Sequence, residues 1–446
     1  MQLFEPSVRI PVRSGYMWVL RSLWEKCESW LNPLSSLLTK IKGEFSFMQG
    51  NLLTLIVSWL FVYFTFSMTS SFESPFFREL GAPPEIIGLM GSIGAMVLGL
   101  VRIPGAVIAD KYGRRQIIVM MTFVIACSFL FYIFAPDWRF VLMGMIISNL
   151  SLIYQPALDA ILADSIPPEK RGMGYAAVNV IPNIPTIVAP AITGYLVASH
   201  GIVPGMRMVY TVIFFCMLAA AFVRLFFLRE TLEHPQRIEF DALKVAFKDS
   251  LGAIREAWRD MPRTLKFVTL AFLVSAFEDP MFRLFTSLYV FDVVGVGVME
   301  WGLTNTVWVA TTLVLGFPLG KVVDKIGRKR SILSAYCLFI PSTILFLSAR
   351  SFLQLVIVYL MFGIGGCLIM PAYSALLADL IPKEKRGRIM GTIVTLNILA
   401  TVPASTFGGF LYGSSPTYPF ILTIILGATV SLIILFTVKD PKIKEK

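Results

Sequence analysis

The sequence predicts an all-α integral membrane protein in which twelve transmembrane helices form two pseudo-symmetric six-helix bundles. Hydrophobic residues make up 56% of the 446-residue chain and charged residues only 15%, and the mean hydropathy is +0.74. A soluble core of this length cannot bury so much apolar surface. Two sequence motifs also occur twice, which is typical of membrane proteins built from two copies of one unit.

The repeated motifs lie at matching distances along the chain. GAVIADKYGRR corresponds to GKVVDKIGRKR, and PALDAILADSIPPEKRG corresponds to PAYSALLADLIPKEKRG. They occupy residues 105–115 and 320–330, and residues 156–172 and 371–387. Asp110 and Asp324 of the first motif are 214 residues apart, and Asp164 and Asp379 of the second are 215 apart. These near-equal offsets indicate that a whole half of the chain is duplicated.

The apolar runs define the crossings, because a bilayer span needs about 20 apolar residues. We predict crossings one to twelve at residues 51–79, 85–109, 116–135, 139–165, 173–198, 207–228, 266–292, 299–322, 330–349, 352–381, 389–413 and 417–438. This divides the chain into an N-terminal segment (1–50), an N-terminal bundle (51–228), a linker (229–265), a C-terminal bundle (266–438) and a tail (439–446).

The distribution of lysine predicts the orientation. Every lysine, together with both termini, falls on the same side of the predicted crossings. Because lysine and arginine mark cytoplasmic loops, we expect both termini in the cytoplasm and the protein in the cell membrane. In the linker, apolar residues recur every three or four positions from Phe240 to Trp258, and the first fifty residues carry tryptophans among basic residues. We expect both segments to lie on the inner membrane surface.

Composition and motifs exclude several function classes. The net charge of +11 does not indicate a nucleic-acid partner, because the basic residues lie in short turns between apolar runs. The five cysteines and two histidines form no metal-binding or cofactor pattern. Residues 316–322 imitate a phosphate-binding loop, but one residue is missing and no Ser or Thr follows the lysine. We therefore expect neither an enzyme nor an ATP-driven pump.

The first motif resembles the signature of the major facilitator superfamily. Its pattern, Gly-x-x-x-Asp-Arg/Lys-x-Gly-Arg-Arg/Lys between crossings two and three, is matched in full by Gly320, Asp324, Lys325, Gly327, Arg328 and Lys329. In the first half, Ala106 replaces the first glycine, and the remaining positions are Asp110, Lys111, Gly113, Arg114 and Arg115. The second motif supplies the family's acid and arginine, Asp164 with Arg171 and Asp379 with Arg386. The resemblance covers residues 50–440 and implies a twelve-helix carrier.

These charged turns are predicted to form a cytoplasmic gate. An aspartate at a helix end can accept hydrogen bonds from guanidinium groups and from the first amides of a neighbouring helix. Such clusters can lock the inner ends of the two halves together. The candidate gate residues are Asp110, Lys111, Gly113, Arg114, Arg115, Asp159, Asp164, Arg171, Asp324, Lys325, Gly327, Arg328, Asp379 and Arg386. The alternative is that these residues only fix topology through their positive charge.

Crossing seven carries the densest set of ionisable residues within a predicted span. From a helix start at Lys266, Glu278 lies about 18 Å into the membrane. Asp279 and Arg283 are four residues apart and can pair on one face, which leaves Glu278 without a local cation. Glu278 is then suited to binding and releasing a proton. The alternative is a static ion pair between Glu278 and Arg102 or another cation.

Crossings five and eleven are rich in prolines, glycines and amides. Asn183 and Asn397 occupy matching positions, 214 residues apart, and we expect both to line a central cavity. Residues 189–194 (APAITG) resemble, in degraded form, a stretch found in drug-exporting antiporters. The segment SFESPFFR from Ser71 also resembles AFEDPMFR from Ala276, but its offset of 205 differs, and we interpret it as coincidental.

The sequence therefore predicts a monomeric secondary transporter that moves a small organic solute across the bilayer by alternating access, coupled to protons and without a cofactor. Sodium coupling and passive facilitated diffusion stay open as mechanisms. A receptor or scaffold that keeps the fold but does not transport is the alternative class.

Overall fold

The computed structural model describes residues 47–111, 113–232, 255–382 and 385–438, without the side chains of Ile103 and residues 106–111. This part of the chain is almost entirely helical and contains no β-strand. The N-terminal fifty residues are described only from residue 47, and most of the linker and the tail lie outside these ranges. The predicted surface helices at 1–50 and 240–254 are therefore not described.

The N-terminal bundle contains crossings one to six. Their helices are Gly50–Thr69 and Glu73–Glu79 (crossing one), Pro84–Lys111 (two), Arg114–Ile133 (three), Trp138–Ser151 and Gln155–Ser165 (four), Arg171–Val180 and Ala189–His200 (five), and Ile202–Phe227 (six).

The C-terminal bundle contains crossings seven to twelve. Their helices are Arg263–Tyr289 (seven), Val298–Ile326 (eight), Arg328–Ser348 (nine), Phe352–Leu380 (ten), Arg386–Ser414 (eleven) and Tyr418–Thr437 (twelve). A single π-helical turn, Val290–Val294, extends crossing seven.

Eleven of these spans in the described chain are long and apolar enough to cross a membrane. Crossing seven, the twelfth, has the length but is less apolar, since its helix contains Glu278, Asp279 and Arg283. The predicted twelve-helix membrane fold in two bundles is confirmed.

Three N-terminal crossings are less regular than predicted. Crossing one is interrupted between Thr69 and Glu73, and crossing four contains the 3-10 turn Leu152–Tyr154. Crossing five unwinds into a 3-10 segment at Ile181–Ile187, because Pro182 and Pro185 cannot donate to the α-helical ladder. Crossing eleven, which is also rich in prolines and glycines, stays one helix of 29 residues with Pro403 inside it.

We call the end of the protein that carries the signature turns the basic end, and the other end the opposite end. One apolar core fills the N-terminal bundle and continues into the opposite end of the C-terminal bundle, through residues such as Phe285 and Trp301. A second core, which includes Val323 and Ile389, lies in the C-terminal bundle near the basic end. Among the described residues, the shared core thus lies at the opposite end.

Glycines allow the halves to approach at that end. A methyl group on Gly88 of crossing two would collide with the Ser405 carbonyl oxygen and lie 3.0 Å from the Gly409 Cα of crossing eleven. A methyl group on Gly302 of crossing eight would lie 2.6 Å from the Pro190 carbonyl oxygen of crossing five. Since both neighbours are backbone atoms, larger residues would push the halves apart.

Candidate functional site

An ion pair joins the two halves at the opposite end. Arg78, in the short helix that ends crossing one, places Nη1 2.6 Å from the carboxylate of Asp292 in the π-turn after crossing seven. The Tyr412 hydroxyl of crossing eleven donates to the same carboxylate at 2.9 Å. We call Arg78, Asp292 and Tyr412 the opposite-end lock. None of these three residues was predicted from the sequence to have a functional role.

Neutral hydrogen bonds support this contact. The Trp301 indole donates to the Ser71 carbonyl oxygen at 2.8 Å, and Trp301 itself is only 2% exposed. The Ser92 hydroxyl of crossing two contacts the Thr406 hydroxyl at 2.6 Å across the interface with crossing eleven. The opposite end is therefore closed.

The halves separate towards the basic end. On crossing eight, Val314 is 67% exposed and Phe317 is 75% exposed, although both lie within a membrane-spanning helix. A methyl group on Gly316 or Gly320 would meet no atom within 4 Å. Crossing eight contacts the Ala189–His200 part of crossing five at Gly302 and diverges from crossing five towards the basic end. We infer that a hollow opens between the halves there.

The signature turns form matching ion pairs at the basic end, one in each half. Arg114 lies 2.5 Å from Asp164, and Arg328 lies 3.3 Å from Asp379. Each pair ties the start of the third helix of a bundle to the end of the fourth. The pairs observed here hold crossings together within a half, whereas the sequence analysis expected a lock between halves. In this conformation the basic ends of the two halves are apart, and the predicted gate residues form ion pairs within each half.

The turns themselves require glycine. Gly113 and Gly327 have φ angles of 86° and 90°, which side-chain-bearing residues rarely adopt. The next arginine, Arg115, donates to the carbonyl oxygens of Leu228 at 2.7 Å and Leu225 at 2.8 Å. The first signature therefore also anchors the end of crossing six.

Glu230 accepts hydrogen bonds at the same place. Burial alone would raise the pKa of the Glu230 carboxyl, but the backbone N–H groups of Leu232, Arg115, Thr231 and Arg114 together hold that pKa below its ordinary value. Glu230 thus fixes the chain where it leaves the N-terminal bundle.

The other predicted gate residues are more scattered. Asp324, Lys325 and Arg171 are exposed, and Arg386 donates to the Ala378 carbonyl oxygen at 3.0 Å. Asp110 and Lys111 lie in the described helix, but their side chains lie outside the described set. Asp159 is exposed on crossing four and interacts electrostatically with Arg102 of crossing two. Asp159 and Arg102 both lie in the part of the first bundle that is nearer the basic end.

The described end of the linker is attached to the C-terminal bundle. Residues 255–260 are helical, and Asp260 contacts Lys385 at 3.0 Å and Arg388 at 2.7 Å. The hydrogen bond from Lys385 and the nearby charge of Arg388 hold the pKa of Asp260 below its ordinary value. The linker therefore ends on the turn between crossings ten and eleven.

Crossing seven presents charge to the hollow. Arg283 Nε lies 3.7 Å from Asp279 Oδ2, and the two side chains are 61% and 70% exposed in the middle of the helix. Glu73, from the other half, interacts electrostatically with Arg283. The Asp279 and Arg283 pair, predicted from its spacing, thus lies at the boundary between the halves.

Glu278 points away from this boundary, into the C-terminal bundle. Its Oε2 atom is buried and has no hydrogen-bond partner among the described residues. It lines a small cavity with Tyr336 of crossing nine and Thr423 of crossing twelve. Among the described residues no cation pairs with Glu278, and the alternative partner Arg102 interacts electrostatically with Asp159 instead. The Glu278 side chain is half-buried, and its Oε2 atom is the buried part.

The two matching asparagines have different surroundings. Asn183 lies in the unwound segment of crossing five, where its Nδ2 donates to the Asn179 carbonyl oxygen at 2.7 Å. Asn397 lies on the continuous helix of crossing eleven and interacts with Tyr373, whose ring stacks on Phe272 at 3.6 Å. Both are partly buried.

The structure gives the short resemblance between Ser71 and Ala276 a new context. Its two glutamates, Glu73 and Glu278, both lie on the first helical crossing of a bundle. Glu73 interacts with Tyr132 and Glu278 interacts with Tyr336, and both tyrosines lie on the third crossing. The glutamates are 205 residues apart and the tyrosines 204. Glu73 and Tyr132 lie near the opposite end, however, whereas Glu278 and Tyr336 lie in the interior of their helices, so the two positions are not equivalent in the repeat.

A buried arginine was missed by the sequence analysis. Arg224 of crossing six is 0% exposed. It donates to the hydroxyls of Ser58 at 3.1 Å and Thr122 at 2.8 Å, and its guanidinium lies 5.6 Å from the centre of the Tyr154 ring. No carboxylate pairs with it among the described residues. A single arginine inside an apolar run was the available signal.

Comparison with known proteins identifies the family. The family model of the Major Facilitator Superfamily matches residues 55–304 and 268–446. The chain is 23% identical over 351 residues to the multi-drug resistance efflux pump PmrA of Streptococcus pneumoniae, covering 75% of this chain and 83% of that protein. It is 22% identical over 378 residues to the PmrA homolog of Lactococcus lactis, covering 80% and 88%.

Solved structures show the same fold. A POT family transporter in complex with 5-aminolevulinic acid superposes with a TM-score of 0.70 at 14% identity, covering 88% of this chain and 96% of that one. A bacterial homolog of the human lysosomal transporter Spinster, in an inward-facing and unoccupied conformation, gives a TM-score of 0.68 at 15% identity and covers 86% and 96%. The human organic anion transporter MFSD10 gives 0.61 at 17% identity, covering 86% and 98%.

Proposed function

Because this chain belongs to the Major Facilitator Superfamily and is a membrane transporter rather than an enzyme, we propose that it exports small organic solutes from the cell in exchange for protons. The relatives that are named multidrug efflux pumps support export and a broad range of solutes. The inferred hollow supports the same proposal, because the exposed Asp279 and Arg283 pair and the exposed apolar side chains of crossing eight, such as Val314 and Phe317, are available to line it. Such a lining suits solutes that combine apolar and charged groups.

The proposed cycle uses the two ends of the molecule in turn. With the basic end in the cytoplasm, the observed conformation faces inward, and the Arg78 and Asp292 ion pair closes the outside. A solute enters the hollow from the cytoplasm. The halves then rock about their contacts, the opposite-end lock breaks, and the basic ends meet. We further propose that the carrier acts as a monomer in the cell membrane.

Glu278 carries the proposal of proton coupling. A carboxylate in apolar surroundings is costly when charged and unpaired, so its free energy depends strongly on access to water. Proton binding to Glu278 removes that cost when water reaches it from one side. Release on the other side restores the charge and biases the halves towards the next conformation.

The direct experiment is transport in proteoliposomes with ethidium, a cationic dye, as the probe. We expect a pH gradient to drive ethidium accumulation by the wild type, and Glu278→Gln to abolish that accumulation while exchange without a gradient continues. Glu278→Gln removes the titrating group but keeps size and polarity, so the fold is preserved. Accumulation unchanged in Glu278→Gln would refute the coupling role.

The same assay separates the alternatives. Accumulation that follows a sodium gradient instead would favour sodium coupling. Equilibration without accumulation under any gradient would favour passive diffusion. Binding of ethidium without flux would favour a receptor.

The signature turns are proposed to act as the inner gate. In the outward-facing state, Asp324 and its neighbours would contact the other half. Asp324→Asn is then expected to slow transport several-fold without changing the relative rates of different dyes. A change in the order of preferred dyes would contradict a gate role.

A further inference from the structure

The cavity beside Glu278 lies inside the C-terminal bundle rather than between the halves. It lies between crossings seven, nine and twelve, is partly open, and its lining includes Glu278, Tyr336, Thr343, Thr423 and Gly427. Its volume of about 10 Å³ is at the lower limit for holding one water molecule. Glu278 lines this space, and its buried Oε2 atom has no hydrogen-bond partner among the described residues. The cavity is thus separate from the hollow that Asp279 and Arg283 line.

Thr343 and Thr423 can offer the cavity hydrogen-bond acceptors but no donors. The Thr343 hydroxyl donates its proton to the Phe339 carbonyl oxygen at 2.9 Å, and the Thr423 hydroxyl donates to the Pro419 carbonyl oxygen at 3.0 Å. Their remaining lone pairs can only accept. An ionised Glu278 adds a further acceptor. A cavity lined by acceptors favours a guest that brings protons, such as water, or a protonated carboxyl group.

A chain of hydroxyl groups leads from the cavity towards the basic end. The Tyr336 hydroxyl contacts the Ser275 hydroxyl at 2.6 Å, and Ser275 contacts the Ala271 carbonyl oxygen at 3.3 Å. Ser275 and Ala271 precede Glu278 on the helix that starts at Arg263, at the basic end. Hydroxyl groups both donate and accept, so they can pass a proton along such a chain.

The other ionisable groups around Glu278 do not compensate it. On its own helix, Asp279 pairs with Arg283, which also interacts with Glu73 of the other half. Crossing nine contributes Tyr336, and crossing ten contributes Tyr373, which stacks on Phe272. In the described chain, crossing twelve lines the cavity with the hydroxyl of Thr423 and with Ile424 and Gly427, and crossing eleven contributes no charged group there.

We propose that this cavity binds one water molecule between Glu278 and Tyr336, and that the coupling proton travels between Glu278 and the basic end through this water, Tyr336 and Ser275. Glu278 gives its proton to the water, the water gives one to the Tyr336 oxygen, and Tyr336 passes its own proton to Ser275. Ser275 is partly exposed and releases its own hydroxyl proton to solvent water, so the bound water and both hydroxyl groups end with the number of protons they began with. Proton and solute then use separate routes. The inference rests on the proposed proton coupling and specifies its path.

Gly427→Ala tests the water site. An added methyl group would lie 3.6 Å from two Tyr336 ring carbons and 3.7 Å from Ile340, which is ordinary contact, so it fits while filling the cavity. We expect gradient-driven ethidium accumulation to fall by about a hundredfold, the lower end of the range for loss of a proton-transfer group. Exchange without a gradient should stay near the wild-type rate. Gly366→Ala is the matched control, since a methyl group there meets no atom within 4 Å.

Tyr336→Phe tests the hydroxyl chain and keeps the ring that shapes the cavity. We expect the same loss of gradient-driven accumulation, and loss of the proton release that follows ethidium addition to purified protein in a dye assay. Tyr359→Phe is the control, because Tyr359 is also buried in this bundle but lies against Trp301. If Gly427→Ala does not fold, the ethidium accumulation of Tyr336→Phe alone tests the proposed proton path.

Wild-type accumulation in both Gly427→Ala and Tyr336→Phe would overturn the proposed path. If Glu278→Gln still lost accumulation in that case, the proposal of proton coupling through Glu278 would stand and only its route would be wrong. If Glu278→Gln also kept accumulation, both proposals would fail.

Discussion

Arg78 and Asp292 join the two halves of the protein through a 2.6 Å ion pair at the end opposite the signature turns. Each side chain is 31% exposed, and Tyr412 adds a third group from another crossing. The pair connects the extensions of crossings one and seven, which are equivalent helices of the two bundles. It is therefore placed to open and close as the bundles rock.

We expect Asp292→Asn to weaken closure at the opposite end. The partly exposed pair contributes about 0.5–1 kcal/mol, so the population of the opened state should rise two- to five-fold. Distances between spin labels across that end would measure the change. Tyr412→Phe removes only one hydrogen bond and should give a smaller shift. The charge-swapped double variant, Arg78→Asp with Asp292→Arg, should restore closure, and failure to do so would count against a simple ion-pair lock.

Gly302→Ala should oppose closure sterically. The new methyl group would lie 2.6 Å from the Pro190 carbonyl oxygen and 3.0 Å from the Gly194 Cα, and these backbone atoms cannot easily move. Overpacking of this kind costs about 1–3 kcal/mol. We expect slower transport with ethidium binding retained, measured in proteoliposomes and by equilibrium binding. The control is Gly316→Ala on the same helix, where the methyl group has open space. Equal transport by the two variants would show that closure does not need this contact.

Arg224→Gln should destabilise the N-terminal bundle. Glutamine cannot replace the bonds to Ser58 and Thr122, and losing charged hydrogen bonds in a buried site costs about 1.5–3 kcal/mol. Thermal unfolding in detergent would show a lower midpoint. Arg139→Gln is the control, because that side chain is 74% exposed. An unchanged or higher midpoint for Arg224→Gln would mean that the cost of burying the charge exceeds what its bonds contribute.

Glu230 gives a pH-dependent prediction. Because its pKa is lowered in the folded protein, its contribution to stability is full above the pKa of the unfolded chain and is lost as the pH falls through the lower folded value. Glu230→Gln should therefore lower the unfolding midpoint at neutral pH, and the difference from the wild type should shrink in acid. A difference that is constant with pH would contradict the role of the charged carboxylate.

Much of the fold was predictable, because membrane crossings and duplication leave strong signals in one sequence. The twelve crossings follow from apolar runs, and the ion pairs Arg114 with Asp164 and Arg328 with Asp379 link residues of the two repeated motifs. The pairing of Asp279 with Arg283 follows from helical spacing. These features depend on neighbours in sequence or on repeats.

Contacts between distant crossings were not predictable in this way. Arg78 and Asp292 lie near the predicted ends of crossings, where charged residues are common and carry no signal of their own. Which oxygen atoms surround Glu278 depends on how crossings nine and twelve rotate about their axes, and apolar runs do not specify rotation. The unwinding at Ile181–Ile187 was indicated by two prolines, whereas Pro403 leaves crossing eleven continuous.

The most direct test of the account measures both ends of one protein. Spin labels at Arg139 and Arg350 report the opposite end, and labels at Glu169 and Arg330 report the basic end, with the native cysteines replaced. Shifting the conformational equilibrium with Asp292→Asn or with pH should lengthen the first distance and shorten the second. Distances that stay fixed, or that lengthen together at both ends, would contradict alternating access by these two halves.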